Sequence, residues 1–293
     1  MNFFSNLMKG SGRKLPRVDL DQRFDKLGTL GTGSMSEIFR ARDKVRNQIV
    51  ALKVLNVERL KELNARFVGR DKPAEGEIAF QLRHPYIVKT IDYGISFKKE
   101  EFLSMEVIDG IPMSRLIDAK SDRIMKKGLR YLIQMAEALA YVHQQGWIHR
   151  DICPRNVLIT MDDQIRLIDF GLMVPNTPEF QAPGNRTGTA NYMAPELLKR
   201  LKTDQRIDVF SFSVTAYEML TGRRPWEAGQ SLDKMMSLIN QPALEIRELV
   251  PGLPEGLSDI IMRGLHKHPD DRWQSMAELA QALQHFKHHQ RRP

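Results

Sequence analysis

The apolar residues of this chain change their period once, near Gly110, and that change limits what the chain can fold into. From Phe24 to Glu106 the pattern is short and β-rich. The runs FDKLGTL, EIFRARD and QIVALKVL come first, then VKTIDYGIS and EFLSMEVID joined by the charged turn KKEE, and a strand is expected for each. Between the third and fourth runs, Pro73 opens a helical stretch ending near Leu82. After Gly110 the helical period takes over, most clearly at Leu129, Leu132, Ile133, Ala136, Leu139, Ala140 and His143, with Gly146 placed to end that helix. The segment IDVFSFSVTAYEML is apolar on nearly every face, the mark of a buried helix, and Gly222 follows it. A β-rich part therefore precedes a helical one. With 293 residues the chain exceeds what one hydrophobic core usually organises, so one large domain or two lobes sharing a cleft is expected.

Composition narrows the classes. The chain is 42% hydrophobic and 27% charged, as an ordinary globular protein is. No apolar run approaches the roughly 18 residues a spanning helix needs, so no stable membrane insertion is expected. The opening MNFFSNLMKGSGRK is unlike a signal peptide, which points to a cytoplasmic location. Cys153 is the only cysteine, which excludes an internal disulfide and a multi-cysteine metal site. The net charge of +8 invites a nucleic-acid role, but much of it sits at the ends. Lys9, Arg13, Lys14 and Arg17 outweigh Asp19 and Asp21 by two, and Lys287, Arg291 and Arg292 add three, so about three of the eight charges remain for the body. No basic stripe results, and no nucleic-acid partner is expected. The sequence leaves the oligomeric state open.

Several residue types carry chemistry. GTGSMSEIF, residues 31–39, stands between the first two strands, where glycines let a backbone approach a phosphate chain. On its own it is a common kind of turn, and Ser36 replaces the last glycine of the G-x-G-x-x-G pattern. Farther on, VALKVL places Lys53 inside an apolar strand, where a charge needs a partner or a ligand. Glu75 or Glu77 on the following helix could supply it. WIHRDICPRNVLI, RLIDFGL and GTANYMAPE then follow in that order within 50 residues.

With these motifs the chain resembles the eukaryotic-type protein kinase family from about Phe24 to Phe286, most closely its serine/threonine branch. The resemblance implies an α+β, bilobal protein kinase fold. Residues 23–108 would form a small β-rich N-lobe with one main helix and residues 109–286 a larger helical C-lobe, between flexible basic tails at 1–22 and 287–293. It implies ATP and Mg2+ as cofactors and protein hydroxyls as acceptors. Asp151 would accept or orient the acceptor proton, while Asp169 and Asn156 would hold magnesium. Lys53 would contact the outer phosphates and pair with a glutamate, the family spacing selecting Glu75 over Glu77. Leu30, Gly31, Thr32, Gly33 and Ser34 would cover the nucleotide. Its adenine would lie between Ile38 and Ala51 above and Leu158 below, bonded to the backbone of Glu106 and Ile108, with Met105 behind. Glu196 would pair with Arg272, and Asp208 would hold the catalytic-loop backbone.

The chain departs from the family at Cys153, where serine/threonine kinases usually carry a lysine that touches the moving phosphate. Pro154 fits the serine/threonine pattern and Arg155 the tyrosine one, while Thr189 and Tyr192 favour serine/threonine. Arg150 beside Asp151 typically accompanies control by an activation-loop phosphate, for which Thr187 is the expected site. The alternatives are a pseudokinase scaffold, which would lose the charged residues this chain keeps, and a tyrosine or dual-specificity kinase.

Overall fold

The computed structural model describes residues 17–290 apart from 34, 68, 185, 227–235 and 237–238. The chain divides into two compact units, one of residues 1–63 and 90–107, the other of 64–89 and 108–293.

The first unit is built on one six-stranded sheet. Its strands are β1 (Arg17–Val18), β2 (Phe24–Thr32), β3 (Ser36–Asp43), β4 (Gln48–Leu55), β5 (Thr90–Ser96) and β6 (Glu101–Met105), in spatial order β1-β5-β6-β4-β3-β2. Strand β4 is buried continuously from Val50 to Lys53, as the apolar neighbours of Lys53 in QIVALKVL anticipate. Side chains alternate across a strand, so the register sorts the sheet into two faces. Phe39 pairs with Leu52, Ala41 with Val50 and Val54 with Phe102. These residues join Leu20 and Phe24 in the core of the unit. On the opposite face Ile38 pairs with Lys53, Lys53 with Leu103 and Ala51 with Met105.

Residues 17–22, expected to belong to a flexible tail, are instead part of this sheet unit. Arg17 and Val18 run parallel to Ile95 and Ser96. Asp19 caps the short helix Leu20–Arg23 by accepting from the main-chain N–H groups of Asp21 and Gln22. Two forces hold the segment. Leu20 is buried in the core. Arg23 reaches the buried Asp43 at 2.8 Å and Asp92 at 2.7 Å. The rest of that tail, and residues 291–293, lie outside the described residues.

The second unit is mainly helical. The helix Asp122–Gln144, capped by Ser121, ends before Gly146, whose φ of +80° suits a glycine terminator. The helix Arg206–Thr221 is buried on all sides from Ile207 to Leu220 except at Glu218, and Gly222 closes it at φ +70°. Glu255–Gly264 packs against it closely, since a Cβ on Gly264 would stand 1.9 Å from Ser213 Oγ. Met276–His289 completes the bundle. Three short strands, β7 (Gly110–Pro112), β9 (Val157–Thr160) and β10 (Ile165–Leu167), form a small sheet in the order β10-β9-β7. Two more, β8 (Trp147–Ile148) and β11 (Val174–Pro175), pair with each other.

Residues 64–89, assigned from the sequence to the β-rich lobe, cluster with the helical unit. Their contacts explain why. Phe67 packs on Phe180, the N–H of Arg83 donates to Tyr141 Oη at 3.0 Å, and Val88 N–H donates to Leu167 O at 2.9 Å. The helix Glu75–Gln81, expected from Pro73 to Leu82, belongs to this segment.

Candidate active site

In the sheet unit, the β2–β3 turn carries the glycine motif. The register slips between Thr29 and Gly31, and Gly33 N–H closes the turn on Ser36 O at 2.8 Å. A Cβ on Gly31 would meet nothing within 4 Å, so packing inside the unit does not require a glycine there. Leu30, Thr32 and Gly33 are exposed, Ile38 is half-buried, and Ser34 lies outside the described residues. Lys53, at 6% exposure, shares the non-core face of the sheet with Ile38, Ala51 and Met105. Glu106 and Ile108, both half-buried, follow β6.

In the helical unit the loop from His149 to Asn156 is fixed from beneath. Asp208 is fully buried, and its carboxylate accepts from the main-chain N–H of His149 at 2.7 Å and of Arg150 at 2.8 Å, and bonds His143 Nε2 at 2.8 Å. Burial alone would raise this carboxyl, but the bonds from His143 and His149 hold it below its usual value. Burial pushes the His149 imidazole down, so it stays neutral as it packs edge-on against Phe170 at 6.0 Å.

Asp151 is half-buried, and its side chain is oriented from two directions. One oxygen accepts from Thr189 N–H at 2.8 Å and from Thr189 Oγ1 at 2.6 Å. The other accepts from Asn156 Nδ2 at 3.1 Å, and that amide also donates to Asp151 O at 2.8 Å. With its nitrogen so occupied, Asn156 keeps its side-chain oxygen as a donor atom for a cation. The N–H of Ile168 donates to Asn156 O at 3.1 Å, which brings Asp169 beside that loop. Asp169 Oδ1 accepts from Gly171 N–H at 3.2 Å.

A Cβ on Gly171 would stand 3.2 Å from Glu75 Oε2 and 3.5 Å from Asp169 Oδ1, so two carboxylates converge on that glycine. Glu75 is buried and Glu77 half-buried. Among the described residues no three His, Cys, Asp or Glu side chains cluster as a metal site. The oxygens of Asp169 and Asn156 suit magnesium, which is commonly held by one or two protein ligands together with substrate phosphates. Leu158 is half-buried on β9, paired with Pro112.

Glu196 and Arg272, 76 residues apart in sequence, form a buried two-pronged pair with both bonds at 2.8 Å. Cys153 is 1% exposed, and burial followed by the charge of Asp151 pushes its thiol up. No cation lowers it enough to make a reactive thiolate. Sequence reasoning missed His143 as the partner of Asp208 and Thr203 as a contact of Arg150. His143 lies on the apolar stripe of its helix and reads there as a core residue. Gly188, at φ +133°, was also missed; a Cβ there would meet Arg150 O at 2.7 Å.

The protein kinase domain family matches residues 24–287, and the chain belongs to it. It is 32% identical over 255 residues to the serine/threonine-protein kinase PknH of Mycobacterium bovis, covering 86% of this chain and 42% of that protein. The likeness to PknE of Mycobacterium tuberculosis is 31%, over 86% of this chain and 44% of that one. A probable serine/threonine-protein kinase of Clostridium acetobutylicum is 30% identical over 92% of this chain and 40% of its own length. The chain thus spans less than half of these relatives. No described helix is long and apolar enough to cross a membrane.

Proposed function

We propose that the chain is an ATP-dependent protein kinase that transfers the γ-phosphate to serine and threonine hydroxyls of protein substrates. The observation that carries this is the setting of Asp151, whose carboxylate is held by Thr189 on one side and Asn156 on the other. A carboxylate fixed in this way can accept a hydrogen bond from an acceptor hydroxyl and take its proton as the oxygen attacks. Phosphoryl transfer asks little covalent work of a protein, so positioning and charge neutralisation carry most of the rate.

In this proposal Asp169 and Asn156 hold magnesium, which when bound neutralises phosphate charge. Lys53 contacts the outer phosphates with Glu75 as its counter-charge. The turn of Leu30, Gly31, Thr32, Gly33 and Ser34 would cover the phosphates, and the open space at Gly31 fits that use. Ile38, Ala51, Met105, Glu106, Ile108 and Leu158 surround the adenine. Acceptors are protein side chains. A cytosolic setting suits the single reduced cysteine.

The test is incubation of the purified chain with labelled ATP, magnesium and acceptor proteins. The wild type should transfer label, and Asp169→Asn should lose about a thousandfold in rate, several kcal/mol of barrier, with little change in melting. Nucleotide binding without transfer would favour the scaffold alternative. Near wild-type transfer by Asp169→Asn would remove Asp169 from its role.

A further inference from the structure

The charges beside Asp151 decide what kind of peptide can bring a hydroxyl to it. Arg155 is exposed and stands in the short turn Pro154–Asn156. The residue after it, Asn156, donates through Nδ2 to Asp151 Oδ2 at 3.1 Å. Two residues before it, Cys153 Sγ lies 4.0 Å from Thr189 Oγ1, which itself donates to Asp151 at 2.6 Å. Burial pushes the Cys153 thiol and the Glu218 carboxyl up, and the charge of Arg155 opposes both shifts. That influence puts an exposed cation among Asp151, Cys153 and Glu218, where an acceptor peptide must pass.

Glu218 is the nearby carboxylate that a basic peptide would seek, and the chain has already taken it. It is the half-buried residue in the otherwise buried stretch Ile207–Leu220. Tyr192 Oη donates to its Oε2, and Arg224 Nε reaches its Oε1 at 3.6 Å. The same guanidinium lies 6.0 Å from the centre of the Tyr192 ring. Both oxygens are thus engaged from within the chain, and an arginine of the chain stands where a substrate arginine would bind. One carboxylate competes: the exposed Asp118, ending the helix Met113–Asp118, adds like charge that raises Glu218. Against it stand the two arginines, and the exposed one is the closer in sequence to Asp151.

We propose that Arg155 determines substrate choice: it selects acceptor hydroxyls with aspartate or glutamate beside them, while Arg224 and Tyr192 close Glu218 to basic peptides. Attraction and exclusion then act together, as discrimination between partners of opposite charge requires. Because Arg155 is exposed, water and salt screen its pull, so the preference is several-fold and weakens as salt rises. The inference rests on the proposed function, but part of its readout does not need turnover.

The experiment gives the full chain ATP, magnesium and three serine peptides that are identical except for aspartate, alanine or arginine flanking the serine. Wild type should use the aspartate peptide about fivefold better in kcat/KM than the alanine one, and the arginine peptide about fivefold worse. Arg155→Ala should bring the three within about twofold, Arg155→Lys should keep the order, and Arg155→Glu should reverse it. Arg224→Ala should improve use of the arginine peptide, since it opens Glu218. Each ratio compares peptides on one protein, so a general loss of activity cancels. Fluorescence anisotropy of the same peptides, labelled, should give the same order of binding. Equal use of the three by wild type, a preference for arginine such as Asp118 would produce, or unchanged ratios in Arg155→Ala would overturn the proposal. Ordered binding without transfer to any peptide would support the charge selection and count against kinase activity, whereas no transfer and no order in binding would overturn both.

Discussion

Replacing Asp208 by asparagine changes no volume, yet the structure makes it one of the costliest single changes in the helical unit. Oδ2 accepts from His149 N–H and is bonded to His143 Nε2, while Oδ1 accepts from Arg150 N–H. An asparagine can turn its oxygen to the first two, but its NH2 group then faces the Arg150 N–H, donor against donor. The buried N–H left without a partner costs about 1–3 kcal/mol, and each remaining bond loses about 1 kcal/mol when its acceptor loses charge. The sum is about 3–5 kcal/mol, which in a domain of this size lowers the midpoint by about 10 °C. Turnover should fall as well, because these N–H groups fix the loop that ends in Asp151. The assay is urea unfolding of Asp208→Asn and wild type with matched slopes, alongside thermal melts and phosphate transfer. A loss below about 1 kcal/mol with unchanged turnover would refute Asp208 as the support of that loop.

The buried Glu196–Arg272 pair should behave as a unit: Arg272→Leu alone costs about 3–5 kcal/mol, while the double change Glu196→Leu with Arg272→Leu costs clearly less than the sum of the singles in a double-mutant cycle. Cys153, whose thiol burial holds above its ordinary value, should not react with a thiol reagent at pH 8 in the native protein and should react fully once unfolded. Stability should also fall in mild acid. The buried His149 stays neutral when folded, and the unfolded chain gains a proton as pH drops through 6.5, its ordinary value, so that contribution is present above 6.5 and lost below it. His149→Phe should flatten the melting temperature between pH 7 and 5 relative to wild type.

Much of the candidate site is legible in the sequence because its residues stand in contiguous motifs. Asp151 and Asn156 share one loop, and the glycine turn and Lys53 sit on adjacent strands whose alternation is plain. Helix ends at Gly146 and Gly222 were legible for the same local reason, a left-handed position that favours glycine. What escaped depends on partners distant in sequence. The short β1 finds its place only through Ile95, and the segment 64–89 joins the helical unit through Phe180, Tyr141 and Leu167, none of them near it in the chain. Thr187 looks like an open acceptor in a polar loop. Its burial against Arg150 becomes visible only when residues 37 apart are brought together.

The most direct measurement is the chemical identity of the product. The chain, labelled ATP, magnesium and a mixed protein acceptor should yield phosphoserine and phosphothreonine, and Asp151→Asn should reduce both by about a hundredfold or more while the protein still melts cooperatively. Phosphotyrosine as the main product, or no transfer from a folded chain that binds ATP, would contradict the account.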